Sequence, residues 1–316
     1  MLITDSNDDY VSRHQAQRSA GDADQAEFGA LRNTRANVYE GIYDDLVADA
    51  LDDFDPQDAQ AEPESPEWSV RDLQYDDAFG AVLEKIEERV ELLGRDYPFR
   101  VDDNALTYVS SKTKVYEFCL CICEASLDRG QNSTLARTFE QVARLVVQDY
   151  LGQSALSHHT GWPRDDKAQK RFKAAMQVLG SRTNEWCWGP EDGLPNDPDP
   201  TNVKDEGVDF VVWRPNPDRR AGSLFLLGQC ACGQNWDSKF DDININKLSK
   251  WFNPMTLVDP VRVFCTPHHV TNGMIRETSR EAGVVFDRIR LAILAENSSQ
   301  EIRSQLMSLD LGQYLP

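Results

Sequence analysis

The feature that most restricts what this chain can fold into is a pair of apolar runs split by a short polar turn. Gly207-Val208-Asp209-Phe210-Val211-Val212-Trp213 leads into a Pro/Arg turn, and Ser223-Leu224-Phe225-Leu226-Leu227-Gly228-Gln229-Cys230-Ala231-Cys232-Gly233 follows. β-Branched and aromatic residues bounded by Gly and Pro predict two buried strands, about 207–213 and 223–231, joined as a hairpin. An acid lies inside the first strand and an amide near the end of the second. An unpaired carboxylate loses several kcal/mol of solvation on burial, so Asp209 calls for a metal, a base or a capping partner.

Composition sets the frame. With 316 residues and 40% hydrophobic content the chain suits one large domain with an appendage or two modest ones. No run approaches the roughly eighteen apolar residues of a membrane span, and the N-terminus turns acidic at once. A soluble, cytoplasmic protein without a membrane partner is therefore expected. Seven cysteines, three of them in Phe118-Cys119-Leu120-Cys121-Ile122-Cys123, read as reduced core thiols. The net charge of −20 is unevenly spread. Residues 1–100 hold 25 acids against 9 bases, and residues 101–316 hold 28 against 24. An anionic partner is thus to be judged against a nearly neutral body, while the acidic third predicts a docking surface for a protein partner or a screen over a basic face.

The punctuation predicts three regions. Residues 1–66 form an acidic segment, frayed over 1–25, helical somewhere within 26–52, and ending in a Pro- and acid-rich linker at 54–66. Residues 67–132 read as helical, with a helix from Tyr75 to Leu93 stopped by Gly94 and an apolar helix over 115–127. Residues 133–316 read as an α/β core with C-terminal helices. Its predicted elements are a helix capped by Ser133-Thr134 and ending near Gly152, a helix over 166–179 and an aromatic strand at 185–188. After the hairpin come a helix at 246–252, a strand at 261–265, a helix at 272–282, a strand at 284–286 and a helical tail over 288–310. Strands alternating with helices after a hairpin predict a mixed sheet flanked by helices.

Alternation along the second hairpin strand puts Gln229 and Ala231 on one face and Cys230 and Cys232 on the other. If Asp209 pairs beside Gln229, a carboxylate and an amide oxygen converge at one edge, a donor set that suits a hard cation such as Mg²⁺ or Mn²⁺. This order of elements, with Asp in one strand and Gln-x-x ending the next, resembles the PD-(D/E)XK restriction-endonuclease-like superfamily, in its branch with Gln for the second acid. The resemblance covers about residues 133–290. It implies a restriction-endonuclease-like core and a metal-dependent DNA endonuclease, many relatives of which serve in restriction and antiphage defence. By position it implies Asp209 as principal metal ligand, assisted by Gln229, the Cys230 carbonyl and Glu140 of the preceding helix.

The family's lysine falls at Ala231. Three readings stay open: a migrated lysine, with Lys239 the candidate; a retired nuclease fold that scaffolds a defence complex; or a substituted, inactivated chain. Lys167, Lys170, Arg171, Lys173 and Arg214 are candidates for meeting DNA phosphates, although a solvated helix face explains the run at 164–173 equally well. Asp209 can instead pair with Arg214 or Arg262, Gln229 with neighbouring backbone, and Glu140 with Arg137 or Arg144. Glu206 can be a third ligand or a strand cap. Cys230, Cys232, Cys265, His268 and His269 offer a zinc alternative without the usual knuckle spacing. His158-His159 reads as a loop near a site, and Thr266-Pro267-His268-His269, directly after a strand, as a loop that either touches substrate or simply closes on a proline with surface histidines. The sequence leaves the oligomeric state open, a homo-oligomer included.

Overall fold

The structure is a computed structural model that describes residues 10–38, 66–102, 104–125, 127, 134–164, 166, 169–190 and 203–311. Its elements, in chain order, are α1 (Tyr10–Asn33), β1 (Arg35–Asn37), α2 (Pro66–Leu93), β2 (Phe99–Asp102), β3 (Ala105–Tyr108), α3 (Val115–Glu124), α4 (Leu135–Leu151), β4 (Leu156–His159) and α5 (Phe172–Thr183). They continue with β5 (Phe210–Arg214), β6 (Leu224–Cys230), α6 (Ile245–Ser249), β7 (Val261–Cys265), α7 (Asn272–Ala282), β8 (Val284–Phe286), α8 (Arg288–Glu296) and α9 (Gln300–Leu306).

The hairpin organises a five-stranded mixed sheet of order β4-β5-β6-β7-β8. β4, β5 and β6 are antiparallel, with Phe210 opposite Gly228; β6, β7 and β8 are parallel, with Cys230 opposite Cys265. Alternation sorts the side chains into two layers. Phe210, Val212 and Leu226 pack with Phe139, Val142, Ala143 and Val146 of α4. Val211, Trp213, Phe225 and Leu227 pack with Phe172, Met176 and Leu179 of α5 and with Trp186, Trp251 and Phe252. The protein is therefore α/β, a mixed sheet with helices on both faces. Gly228 is required by close approach, because a Cβ there would lie 2.1 Å from the Phe210 ring.

The N-terminal part departs from expectation. Residues 10–25, read as frayed, belong to α1. Its buried stripe is Ala20, Ala23, Ala26 and Ala30, so the helix packs by close approach of small residues and carries little hydrophobic signal. The helix expected within 26–52 ends at Asn33, and residues 39–52 lie outside the described residues, as does the linker over 54–65. The region 67–132 is not all helical. β3 pairs with β2 on one side and with β1, some seventy residues away, on the other, in a three-stranded antiparallel sheet of order β1-β3-β2. α2 begins at Pro66, a residue suited to the first helical turn.

Two expectations in the core also change. The aromatic segment at 185–188 joins no sheet and makes a single bridge, Trp188 to Phe252, because its indoles pack into the aromatic layer instead. The first strand of the sheet is β4, whose polar Leu-Ser-His-His looked like a loop. The third helix runs from Phe172 rather than 166. All seven cysteines are free; burial pushes the Cys121 thiol up to about 12 and the Cys123 thiol well above its usual range. Among the described residues no helix is long and apolar enough to cross a membrane.

Candidate functional site

Three elements end at one corner of the sheet. α4 brings Glu140, the last residue of β4 is His159, and Asp209 precedes β5 where its ladder with β6 stops. The Asp209 N–H still donates to the Gly228 carbonyl at 2.8 Å, and the next free donor on β6, the Cys230 N–H, donates to Asp209 Oδ2 at 2.7 Å. The carboxylate thus caps the strand with one oxygen and leaves Oδ1 to face α4. His159 Nε2 and Glu140 Oε2 share a hydrogen bond of 2.6 Å.

Gly161 is the floor of this corner. Its N–H and that of Thr160 both donate to the Asp209 carbonyl at 2.8 Å, which draws the loop after β4 tightly over the site. A Cβ on Gly161 would stand 2.6 Å from Glu140 Oε2, 3.1 Å from His159 Nε2 and 3.2 Å from Asp209 Oδ1. One small volume is therefore ringed by two carboxylate oxygens and an imidazole nitrogen, and only glycine leaves it open.

The electrostatics are compensated only in part. Burial, then the neighbouring Asp205, push the Glu140 carboxyl up to about 8, with Arg137 opposing. Burial and the Glu140 charge hold the Asp209 carboxyl well above the usual carboxylate range, although the Cys230 N–H pulls it down. Asp205 and Asp242 add more negative charge. Asp205 also ties the loop together, accepting from the Gly207 and Trp162 N–H groups. Two desolvated acids that repel each other hold a proton or ask for a cation.

The predicted residues divide. Glu140 and Asp209 come together. Asp209 pairs with neither proposed arginine: Arg262 meets Asp241 at 3.5 Å, and Arg214 lies at the far end of β5. Arg144, offered as a partner for Glu140, bonds Gln141 and Ser157 instead. Gln229 does not turn to Asp209; its Nε2 donates to the Lys239 carbonyl at 2.6 Å. Lys239 thus reaches Gln229 through its backbone rather than its ammonium. Cys230 offers Asp209 its N–H, not its carbonyl. Ala231 packs among Trp236, Phe264, Val270 and Met274, on the face opposite Cys230 and Cys232. Glu206 is paired with Lys250 at 3.1 Å and accepts from the Trp251 indole, so it is neither a third ligand nor a simple cap.

Of the residues expected to meet phosphate, Lys170 and Arg171 are exposed, Lys173 lies over the Trp188 ring, and Lys167 falls outside the described residues. His268 and His269 are buried rather than on the surface, the second accepting from Arg89 Nε at 3.2 Å. Among the described residues these histidines and Cys230, Cys232 and Cys265 do not come together as a group of three or more that could hold a metal ion.

Asp205 was missed, and His159 was read as part of a loop near a site, not as a member of it. Their signal is spacing: a histidine just before Thr-Gly at a strand end, and an acid four residues ahead of Asp209 across a Glu-Gly turn. Among the described residues, no group of three or more His, Cys, Asp or Glu side chains forms a ready metal cage. Mg²⁺ needs none, being held by one or two carboxylates with waters and substrate phosphate. The Glu140–Asp209 pair around the Gly161 cradle fits that donor requirement. No family model, curated protein or solved structure matches the chain.

Proposed function

We propose that the protein is a metal-dependent nuclease that hydrolyses DNA phosphodiesters, in keeping with the likeness to the PD-(D/E)XK superfamily. The observation that carries the reading is the convergence of Glu140 Oε2, Asp209 Oδ1 and His159 Nε2 on the space above Gly161. Glu140 and Asp209 would hold Mg²⁺ or Mn²⁺, which supplies the positive charge that polarises a phosphodiester. The Cys230 N–H fixes Asp209 Oδ2 so that Oδ1 stays directed into the site. His159 Nε2 is bonded to Glu140 Oε2 at 2.6 Å, so the imidazole would orient that carboxylate and exchange a proton with it. Asp205 holds the loop that excludes water from one side.

The test is incubation of plasmid and linear DNA with the protein in Mg²⁺ or Mn²⁺, beside Asp209→Asn and Glu140→Gln. Cleavage that falls by at least about 10²-fold in both variants supports the reading. Cleavage unaffected by either removes the cradle from the chemistry.

A second reading, a catalytically inactive scaffold of nuclease fold, draws on Ala231. The lysine position faces an apolar cluster, so restoring lysine there would bury an ammonium away from Glu140 and Asp209. Absence of cleavage by the wild type, with Mg²⁺-independent DNA or protein binding retained, favours this reading.

A further inference from the structure

The sheet has two edges, and the one beside the cradle is lined with arginine. Along β4 the cradle residue His159 comes last. Two residues back, about 7 Å along the strand, Ser157 accepts from Arg144 of α4 through its hydroxyl and from Arg182 of α5 through its carbonyl, the latter at 3.1 Å. Arg144 approaches from one face of the sheet and Arg182 from the other, so two guanidinium groups meet at one residue of an edge strand. Arg144 is also one helical turn from Glu140, an i,i+4 neighbour on the same face of α4. Arg214 ends β5 one residue beyond the Leu156–Trp213 pair, and its Nη1 lies 3.6 Å from the position of a Cβ on Gly152.

Among the described residues, none of these three arginines is paired with a carboxylate. Arg144 is held by Gln141 and Ser157, and Arg182 by the Ser157 carbonyl and the Trp213 ring, 4.8 Å from its guanidinium carbon. Burial and the nearby Arg182 charge lower the proton affinity of Arg144, the signature of like charges packed without a counterion. In a chain of net charge −20, acids are plentiful, yet among the described residues none pairs with these arginines. Arg182 and Arg214 are exposed, and their planar forks suit phosphate oxygens.

We propose that Arg144, Arg182 and Arg214 form a phosphate-binding track along the β4 edge that seats the backbone of a nucleic-acid strand leading into the Glu140–Asp209 cradle. The proposal rests on the nuclease reading for the direction of the strand, but it makes a separate claim about binding. The ligand chemistry is the phosphodiester backbone, common to DNA and RNA.

Binding is measured by fluorescence anisotropy of labelled duplex DNA, single-stranded DNA and single-stranded RNA, with EDTA present so that cleavage does not intervene. The proteins are the full chain, Arg182→Gln/Arg214→Gln, and Asp209→Asn. For duplex DNA the slope of log K against log salt should be shallower in the double arginine variant by about 1.8, two phosphate contacts at about 0.9 each. The Asp209→Asn variant should bind at least as tightly as the wild type. A circular dichroism melt unchanged in the arginine variant excludes misfolding, and an Arg182→Lys/Arg214→Lys variant should recover most of the slope. The same loss of slope on one nucleic acid alone identifies the strand type that uses the track. An unchanged slope in the Gln variant overturns the track and leaves the nuclease reading standing. Loss of slope without any Mg²⁺-dependent cleavage by the wild type supports the track and overturns the hydrolysis. No binding of any of the three nucleic acids by the wild type at low salt overturns the track outright.

Discussion

Two clusters of buried acids sit in this molecule, and they are built on opposite rules. In the first, Asp24 and Glu27 of α1 meet Arg89 of α2 at 2.7 and 2.8 Å, and Arg288 of α8 joins Asp24. Tyr97 and Tyr116 each donate to Glu27 at 2.7 Å. Burial works to raise the Asp24 carboxyl, but Arg288 and Arg89 outweigh it and hold it low. In the second, Glu140 and Asp209 face each other with an imidazole and further acids, and both carboxyls rise. Two acids against two arginines hold a fold together. Two acids against each other store an unmet demand for positive charge. The same residue type at similar burial therefore means attachment in one place and a site in the other, and the counterions decide which.

The comparison can be broken first at the compensated cluster. Arg89→Ala leaves Glu27 buried without its cation and should cost about 3–5 kcal/mol in urea unfolding. A loss below about 1 kcal/mol would show that the tyrosines alone satisfy Glu27.

At the cradle the sign reverses. With a folded carboxyl near 8 against an ordinary value of 4.5, Glu140 favours folding fully below about pH 4.5. That contribution disappears as pH rises through 8, a fall on the order of 3 kcal/mol by pH 7. Glu140→Gln should therefore flatten the stability profile between those limits and raise stability at pH 8 by about 2–3 kcal/mol. Asp24, whose carboxyl is lowered, contributes in the other direction: its stabilisation is present above about 3.8 and lost as pH falls from there. A Glu140→Gln profile parallel to the wild type would show that the cradle carboxylates are not in conflict.

A cation should relieve that conflict. Mg²⁺ at about a hundred times its dissociation constant stabilises by roughly 2.7 kcal/mol, read as a thermal shift that grows with pH. Gly161→Ala puts a methyl group 2.6 Å from Glu140 Oε2 and should abolish the shift. A shift retained in that variant would place the cation elsewhere.

The smallest effect is expected at Lys239. Lys239 bonds through its backbone, the carbonyl accepting from Gln229 and the N–H donating to the Trp236 carbonyl at 3.1 Å, so Lys239→Ala should change stability by less than about 0.5 kcal/mol and leave Mg²⁺-dependent cleavage intact. A tenfold loss of cleavage would return the lysine to the chemistry.

Legibility in the sequence followed how local the physics was. β5, β6, β7 and α4 were readable because each carries its own apolar run or stripe. α1 was not, since an alanine stripe has value only against a close neighbour, and β1–β3 were not, since their pairing joins distant short segments. In the site, Glu140 and Asp209 were legible from element order and from the oddity of an acid in an apolar strand. His159 was hidden in a polar edge strand with no alternation to reveal it. Gln229 misled: its position and face on β6 were right, but its partner was not Asp209, because the carbonyl that follows the 3₁₀ turn at Trp236–Ser238 takes its amide.

The anchoring of α1 reaches past the arginine knot. Gln17 donates to the His269 carbonyl at 2.6 Å and accepts from the Thr271 N–H at 3.1 Å, and Arg13 meets Glu277 at 3.0 Å. α1 is thus stitched to the loop after β7 and to α7, in the parallel half of the sheet. Cutting it away, as in a deletion of residues 1–66, would strip Arg89 and Arg288 of their counterions inside a core. The helix and the sheet should melt in one cooperative step, and a protease should find no seam between them.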